Sequence, residues 1–300
     1  MATEYTNSPA IVIHEGANFY LPYVLSQLRF SNPSIPIFLI GDKAALRLVP
    51  RGVTGINIAE YSKSADRFTE LYKDQHRNYN SFNFENKCFR RTFILEEFLT
   101  RKDFNSCWHI DSDNLIYTDL SDELMALPDH CSFAACGQSP HNSFWTLAQL
   151  TDYNQYTLKC IQPDTEEYAA VDKFWNDYKK SYTVDGVCDM TFLDLYINKH
   201  AENYSLLAQN DRGGWNNSLH SSFPELKRRQ LFFRSAECRK ANDFYLFYGK
   251  VMLNIHCQGF TKRFIPHFYT GDDKVLLFFK TLRFMPRRIA AYIYHEILKF

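Results

Sequence analysis

The sequence predicts an α/β protein whose central sheet is flanked by helices. Three observations lead to this fold class: short β-branched runs alternate with amphipathic segments, polar or acidic residues directly follow the runs, and one helical segment joins the first two runs. Strand, helix and strand within about 30 residues form a βαβ unit, which implies parallel strands. Because ligands of open α/β sheets bind beyond the carboxyl ends of the strands, we expect the functional site at that edge.

The elements follow from the spacing of apolar residues, which differs between strands and helices. In order, the sequence predicts a strand at 10–14, a helix at 19–31, a strand at 37–42, a short strand within 52–61, a helix at 84–99, a strand ending before Asp111, helical segments between about 143 and 200, and strands at 229–234, 244–249 and 251–257. In this assignment His14, Asp42, Asp111 and Asp113 stand at the ends of strands, along one crevice.

The composition narrows the class of protein. The 300 residues are 45% hydrophobic, enough for a large core, and 34 basic residues balance 34 acidic ones. A chain without net charge has no overall attraction for nucleic acid, and we expect no such partner. We find no signal-peptide pattern and no apolar run long enough to span a bilayer, and the eight cysteines contain no CxxC pair. These features predict a cytoplasmic protein with reduced thiols.

The segment Asp111-Ser112-Asp113 places two carboxylates at the edge of a strand that looks buried. Residues i and i+2 of an extended chain point to the same side, so both carboxylates can approach one point. Unpaired charge is costly there, and hard oxygen ligands suit Mg²⁺ or Mn²⁺. The alternative is a polar turn that closes the strand, because Asp and Ser favour turns.

A second motif, HxxGxxK, follows a short apolar strand near residue 254 and comprises His256, Gly259 and Lys262. A neutral imidazole can complete a metal site built from carboxylates. A glycine lets the backbone approach a phosphate closely, and a lysine supplies a point charge for a phosphate oxygen. His256 alone would be interpreted as a structural histidine, but the ordered trio favours a site.

Together these residues resemble the DxD-containing glycosyltransferases of the GT-A fold. The resemblance implies a Rossmann-like nucleotide-diphospho-sugar transferase fold, with a mixed central sheet flanked by helices and a C-terminal helical tail. They are similar in particular to the glycogenin and lipooligosaccharide galactosyltransferase family (glycosyltransferase family 8), whose C-terminal signature is HFxGxxKPW. The segments 11–42 and 84–98 also look like polysaccharide-type glycosyltransferases, and the resemblance runs from about residue 8 to about 265. This chain departs from the signature at Arg263 and Phe264, where the family has Pro-Trp.

The resemblance implies a metal ion and a nucleotide-sugar donor, for which a UDP-sugar is the commonest case. In the family, both aspartates of the DxD motif and the histidine bind Mn²⁺. Gly259 and Lys262 stand where the family contacts the donor diphosphate. The metal ligands predicted in this way are Asp111, Asp113 and His256, and the further donor contacts that we predict are His14, Asn18, Asp42 and Ser112.

The catalytic residues that we predict are Asp189, Arg90 and Asp111. In the family, a DQDxLN helix start places an aspartate and a glutamine beside the donor sugar; DMTFLD matches it at Asp189 but has Met190 at the glutamine position. Asp189 is equally well explained as a helix N-cap. Arg90 and its neighbour Arg91 lie on the helix before the DxD strand, where related enzymes use a basic residue, or they belong to a solvated helix face.

The predicted function is metal-dependent transfer of a sugar from a nucleotide-diphospho-sugar to a glycan or lipid-linked saccharide, in polysaccharide or glycoconjugate synthesis. Retention at the anomeric carbon is implied by the resemblance. We expect a catalytic domain at 1–273, with a nucleotide half over about 1–115 and an acceptor half over about 116–273. The alternatives are a sugar-phosphate nucleotidyltransferase, which would need a glycine-rich basic loop where this chain has EGANFY, or a non-catalytic nucleotide-sugar binding protein.

The tail, 274–300, holds six Lys or Arg against one Glu, interleaved with Phe, Tyr, Leu and Ile, and Pro286 divides it. Each part is amphipathic in a helical arrangement. Basic residues mixed with aromatic ones suit the interface of an anionic membrane, so we predict a peripheral location on its inner face. The alternative is that the tail packs on the catalytic domain or forms a contact in a homo-oligomer.

Overall fold

A computed structural model describes residues 8–207, 213–215, 238–241, 244–247, 250–287 and 289–290. Its strands are β1 Ala10–His14, β2 Ile37–Gly41, β3 Thr54–Asn57, β4 Ser106–Ile110, β5 Asn114–Ile116, β6 Phe133–Cys136, β7 Ser139–Thr146, β8 Tyr204–Leu206, β9 Cys238–Ala241, β10 Phe244–Phe247, β11 Lys250–Val251 and β12 Asn254–His256. The predicted strand at 229–234 lies outside the described residues.

The helices alternate with these strands through the first part of the chain, as the sequence predicts. They are α1 Leu21–Ser31, α2 Lys43–Leu46, α3 Lys63–Tyr72, α4 Phe82–Lys102, α5 Leu120–Met125, α6 Leu147–Cys160, α7 Glu166–Tyr178, α8 Asp189–Lys199, α9 Ile265–Phe268 and α10 Lys274–Thr281. Short 3₁₀ segments occur at Ile58–Tyr61, Lys73–Gln75, Ala201–Asn203, Gly259–Phe264 and Leu282–Phe284.

The main sheet has seven strands in the order β3-β2-β1-β4-β7-β6-β8. β1 and β2 are parallel, as are β6 and β8, whereas β6 and β7 are antiparallel, so the sheet is mixed. Two small sheets accompany it, β11-β10-β9 and β12-β5. The prediction of a mixed sheet flanked by helices is confirmed.

The predicted helix start near residue 143 is wrong, because residues up to Thr146 belong to β7. In this strand Phe144 and Trp145 are buried, and Trp145 lies opposite Phe133 of β6. Aromatic residues suit a strand as well as a helix, so only the pairing with β6 decides between them. The helix begins one residue later, where the Thr146 hydroxyl accepts from the Gln149 amide at 3.3 Å.

The described chain divides into two compact units. Unit 1 consists of Met1–Pro9, Asn57–His109 and Leu127–Leu206, and unit 2 of Ala10–Ile56, Ile110–Ala126 and Leu207–Phe300. The predicted division into a nucleotide half and an acceptor half concerns ligands rather than packing, and it stays a prediction.

Unit 1 is built around aromatic contacts between α3 and α4. Phe68 of α3 stacks on Phe93 of α4 with ring centroids 4.8 Å apart, and Tyr72 lies 5.0 Å from Phe89. All four rings are buried. Helical spacing of aromatic residues on both helices therefore supplies the core that fixes α4.

Unit 2 has a hydrophobic cluster in which distant parts of the chain meet. It includes residues of α1, β5, β12 and α9, together with Leu277 and Phe278 of α10. The tail thus packs on the unit by one face, as one of the two interpretations of its sequence requires. The opposite face of this segment exposes Val275, Leu276, Phe279 and Leu282.

Two further observations concern the whole of the described chain. No helix among the described residues is both long enough and apolar enough to cross a bilayer. The seven cysteines whose side chains the structure describes form no disulfide, and five of them are buried. The expectation of reduced thiols is consistent with this arrangement.

Asn32, which directly follows α1, joins that helix to the segment that leads into α5. Its side chain is fully buried, donates to the carbonyls of Leu28 and Thr118 at 3.1 and 3.2 Å, and accepts from the Leu120 amide at 2.7 Å.

Asn32→Ala should lower the free energy of unfolding by about 2 to 4 kcal/mol, because buried polar groups lose their partners. Urea unfolding measures this change. The exposed Asn198→Ala serves as control and should stay within about 0.5 kcal/mol of the wild type. A similar small effect at Asn32 would contradict the prediction.

Candidate metal and donor site

The pairing of β5 with β12 brings the two predicted motifs of unit 2 together. In this antiparallel pair His256 lies opposite Asn114, and the Cys257 amide donates to the Asp113 carbonyl at 2.9 Å. The side chains of Asn254 and Asn114 form a buried hydrogen bond of 2.8 Å that secures the register. The pairing therefore places the imidazole next to the carboxylate.

The three predicted metal ligands converge on one point. Single ligand atoms of Asp111, Asp113 and His256 all lie within 4.8 Å of one another. His256 Nε2 is 3.2 Å from Asp113 Oδ1, and both side chains are buried, whereas Asp111 is half-buried. Two carboxylates and one imidazole form a donor set that fits Mn²⁺ or Mg²⁺.

Lys262 completes this group. Its Nζ atom lies 2.9 Å from Asp113 Oδ2, so one carboxylate faces the imidazole with one oxygen and the ammonium with the other. Burial opposes ionisation of Asp113, but His256 and Lys262 outweigh it and lower the pKa of the carboxyl below its ordinary value. Burial likewise disfavours the charged lysine, and the Asp113 carboxylate outweighs it and raises the pKa of Lys262. Asp113 and Lys262 therefore form a charged pair at neutral pH.

Gly259 opens the 3₁₀ segment that carries Lys262. Its φ of +54° lies in the left-handed region, which disfavours any residue with a Cβ atom, and nothing lies within 4 Å of the position of a Cβ. Since residues three apart eclipse in a 3₁₀ helix, Gly259 and Lys262 share one side of the segment. This is the arrangement expected of a backbone and a cation that approach one ligand.

Three of the predicted donor contacts form a hydrogen-bonded chain at the end of β1. Asn18 Nδ2 lies 2.9 Å from His14 Nε2, and His14 Nδ1 lies 2.8 Å from Ser112 Oγ. When the Asn18 amide donates to Nε2, the proton of the neutral imidazole stands on Nδ1 and is donated to Ser112. His14 thereby ties the middle residue of the DxD motif to the loop before α1.

The Asp42 carboxylate accepts hydrogen bonds from the surrounding backbone. Its Oδ1 accepts from the amides of Gly16 at 3.0 Å and Ala45 at 2.8 Å, so the carboxylate caps α2 and fixes the loop after β1. Although burial works in the other direction, these amides and that of Ala44 lower the pKa of Asp42. A direct contact between Asp42 and a donor stays a prediction, and the observed role is to shape the loop.

In unit 1, Asp189 pairs with Arg91. Asp189 is the first residue of α8, and its Oδ2 lies 2.8 Å from Arg91 Nη2 while Oδ1 accepts from the Met190 amide at 3.0 Å. The N-cap position itself is taken by Cys188, so the N-cap interpretation of Asp189 is wrong by one residue. Met190 is 44% exposed and does not replace the polar side chain of the family motif.

The side chain of Arg90 contacts the neighbouring helix α3 and not Asp189. Its Nη1 lies 2.6 Å from Asp66 Oδ1 and donates to Thr69 Oγ1 at 2.9 Å, both in α3. The solvated-face interpretation does not describe this arginine, because its side chain is 20% exposed and joins two helices. Its catalytic role stays a prediction, and Arg91 is the arginine that meets Asp189.

Glu85, a buried acid in the first turn of α4, is a site residue that no sequence pattern indicates. Its Oε1 accepts from Asn80 Nδ2 at 2.9 Å, and its Oε2 has no hydrogen-bond partner in the described structure. Burial raises the pKa of Glu85 to about 7, with smaller contributions from Asp189 and Asp185. A glutamate in a first turn is ordinary in sequence, so only its burial distinguishes it.

Comparisons with known proteins bear on the fold. No protein-family model matches the sequence, and neither does any curated protein. The chain is similar in structure to mouse xyloside xylosyltransferase 1 in its apo form, with a TM-score of 0.54 and 11% identity over 85% of this chain and 99% of that one.

Two further solved structures match less well. The galactosyltransferase LgtC, in complex with donor and acceptor sugar analogues, has a TM-score of 0.43 and 11% identity over 95% of each chain. The glycosyltransferase GlyE of Streptococcus pneumoniae has a TM-score of 0.44 and 12% identity over 98% of this chain and 64% of that one. The likeness to the xylosyltransferase carries the conclusion: the chain has the GT-A glycosyltransferase fold, and this prediction is confirmed.

The raised pKa of Glu85 makes the stability of the protein depend on pH. Because the folded state binds this proton more tightly than the unfolded state, stability is complete below the unfolded pKa of 4.5 and falls as the pH rises to about 7. Glu85→Gln should abolish this loss, gaining up to about 3 kcal/mol over the wild type at pH 8 and little at pH 4.5. Chemical unfolding at several pH values measures the difference.

The control for this experiment is Glu166→Gln, which removes an exposed acid from the first turn of α7. Its stability should follow the wild-type profile across the same pH range. Parallel profiles of Glu85→Gln and the wild type would show that Glu85 ionises normally.

Proposed function

We propose that the protein is a metal-dependent glycosyltransferase, which moves a sugar from a nucleotide-diphospho-sugar to a saccharide acceptor. The observation that carries this proposal is the convergence of Asp111, Asp113 and His256, with Lys262 beside them, in a chain of GT-A fold. The donor is a UDP-sugar and the acceptor a glycan or lipid-linked saccharide, in polysaccharide or glycoconjugate synthesis. Retention of anomeric configuration is the outcome that the family resemblance implies.

The charges of the group suit the departure of a nucleoside diphosphate. Two carboxylates and one ammonium sum to one negative charge, which favours a divalent cation. A bound Mn²⁺ or Mg²⁺ would act as a Lewis acid that neutralises the charge developing on the leaving diphosphate. Lys262 would contribute a further positive charge to the same phosphate oxygens, and Gly259 would leave its backbone accessible to them.

The remaining site residues have supporting roles in this proposal. His14 and Asn18 hold Ser112, and with it the turn between the two aspartates. Asp189, oriented by Arg91, is assigned to the donor sugar or the acceptor, and Arg90 to the electrostatics around α4. The ion pair with Arg91 supports the role of Asp189, since it fixes the orientation of this carboxylate.

The two alternative functions have less support. A sugar-phosphate nucleotidyltransferase would need a glycine-rich basic loop after β1, where this chain has the sequence EGANFY. A non-catalytic binding protein would not need three metal ligands and a lysine on one point. The first alternative would release pyrophosphate or a nucleotide-sugar, and the second would bind a donor without turnover.

The decisive experiment is a screen of nucleotide-sugars with Mn²⁺, following release of the nucleoside diphosphate. One donor should be hydrolysed or transferred, and excess EDTA should abolish the reaction. Asp113→Asn removes one charge from the group and should lower turnover by at least about 100-fold. Its affinity for Mn²⁺, measured by calorimetry without donor, should fall as well.

Asp272→Asn is the matched control, because Asp272 is an exposed aspartate of the same unit. It should keep wild-type turnover and Mn²⁺ affinity. Full activity in EDTA, or an Asp113→Asn protein that is folded and fully active, would refute metal-dependent transfer.

The tail adds the proposal of a peripheral membrane location. Leu276 and Phe279 are 52% and 59% exposed on the outer face of α10, and Lys280 and Arg283 are exposed beside them. Apolar and basic side chains on one surface suit an anionic membrane. Such a location is useful to an enzyme with a lipid-linked acceptor, which cannot diffuse through water. The last residues of the tail, 291–300, lie outside the described part of the chain.

Flotation with liposomes tests this location. Leu276→Ser/Phe279→Ser should reduce flotation with anionic vesicles several-fold, since burial of these side chains in the interface is lost. Removing the whole tail would be a poorer test, because Leu277 and Phe278 belong to the core of unit 2. The control Leu71→Ser/Phe84→Ser removes equally exposed apolar side chains from unit 1 and should float normally. Equal flotation of all three proteins would refute a membrane role of α10.

A further inference from the structure

Tyr20, which the sequence patterns do not single out, lies next to two residues of the candidate site, His14 and Lys262. It directly precedes α1, and its side chain is 6% exposed. Its ring meets His14 edge-on with centroids 6.0 Å apart, and Phe19 edge-on at 5.6 Å. Packing on two sides therefore fixes where the ring face and the hydroxyl group point.

The ring of Tyr20 faces Lys262. The ammonium lies 5.5 Å from the ring centroid, within the range of a cation–π interaction. Burial raises the pKa of the Tyr20 hydroxyl, and Lys262 and Ser112 both act against this increase. Tyr20 thus lies beside the cation that pairs with Asp113.

Lys262 needs a neighbour such as Tyr20, because its other contact, the ion pair with Asp113, involves a carboxylate that has a second role. The carboxylate that it pairs with at 2.9 Å, Asp113, is also one of the three metal ligands. A lysine has a long flexible stem, and ordering it costs conformational entropy. A side chain held only by Asp113 would lose its anchor whenever that carboxylate served another cation.

We propose that Tyr20 is a positioning residue that confines the Lys262 ammonium beside Asp113, where it meets the diphosphate of a nucleotide-sugar donor. This inference rests on the proposed function, because it assigns Lys262 to the donor. Tyr20 acts through Lys262 and need not touch the reacting atoms. If Tyr20 were instead only a core residue, loss of its hydroxyl would affect stability and leave donor binding unchanged.

The test is a double-mutant cycle on the affinity for nucleoside diphosphate, measured by calorimetry with UDP, and with GDP in parallel, in the presence of Mn²⁺. Tyr20→Phe keeps the ring and should weaken binding roughly threefold to tenfold through loss of the hydroxyl interaction. Lys262→Ala should weaken it roughly tenfold to 100-fold. In the double variant the affinity should equal that of Lys262→Ala, because Tyr20 has no lysine left to position.

Tyr23→Phe is the matched control. It removes a hydroxyl from a buried tyrosine of the same hydrophobic cluster, one turn further along α1, and should leave the affinity for UDP unchanged. Thermal unfolding of each variant checks that the fold is kept. Tyr20→Leu, which removes ring and hydroxyl together, should weaken binding more than Tyr20→Phe does.

The experiment distinguishes failure of the proposed function from failure of the role of Tyr20. Wild-type protein that binds neither UDP nor GDP with Mn²⁺ would overturn the proposed function, and this inference with it. Wild-type protein that binds one of them, with Tyr20→Phe unchanged or with losses that add in the double variant, would overturn only the role of Tyr20.

Discussion

The candidate site depends on the antiparallel pairing of two three-residue strands, β5 and β12. Their register sets His256 opposite Asn114, and this places the imidazole beside Asp113, although the paired strands lie about 140 residues apart in sequence. A shift by one residue would turn the imidazole to the other face of the strand. Strands this short have little stability of their own, so the buried side chains of Leu115 and Ile255 in the core of unit 2 hold them together.

The same core links the site to regions that look unrelated in sequence. The ring of Tyr20 belongs to it, as do Leu277 and Phe278 of the tail helix. Packing therefore resolves part of the ambiguity of the tail, whose apolar residues divide between an inward and an outward face. The inward face stabilises the unit that carries the predicted metal ligands, and only the outward face is available to a membrane.

The two units shift the pKa of a buried acid in opposite directions. Asp113 is buried but faces an imidazole and an ammonium, so the pKa of its carboxyl is lowered. Burial raises the pKa of Glu85, and the charge of Asp189, which already pairs with Arg91, adds to this increase. The number of cations within reach decides whether a buried acid keeps or loses its charge, because the desolvation cost is common to both. A charged group suits a cation site, whereas a neutral one serves local structure.

The sequence by itself determined the α/β class and the chemistry of the candidate metal site. The spacing of apolar residues and the strand ends predict a sheet flanked by helices, the family resemblance implies its mixed strand directions, and Asp111, Asp113 and His256 carry their ligand chemistry in their side chains. Tertiary structure alone decided what depends on neighbours. Arg91, and not Arg90, forms the ion pair with Asp189. The residues from Ser143 to Thr146 belong to a strand, and Tyr20 packs beside Lys262. Local patterns report which face of an element is buried, but a partner far along the chain is chosen by packing, which no local pattern records.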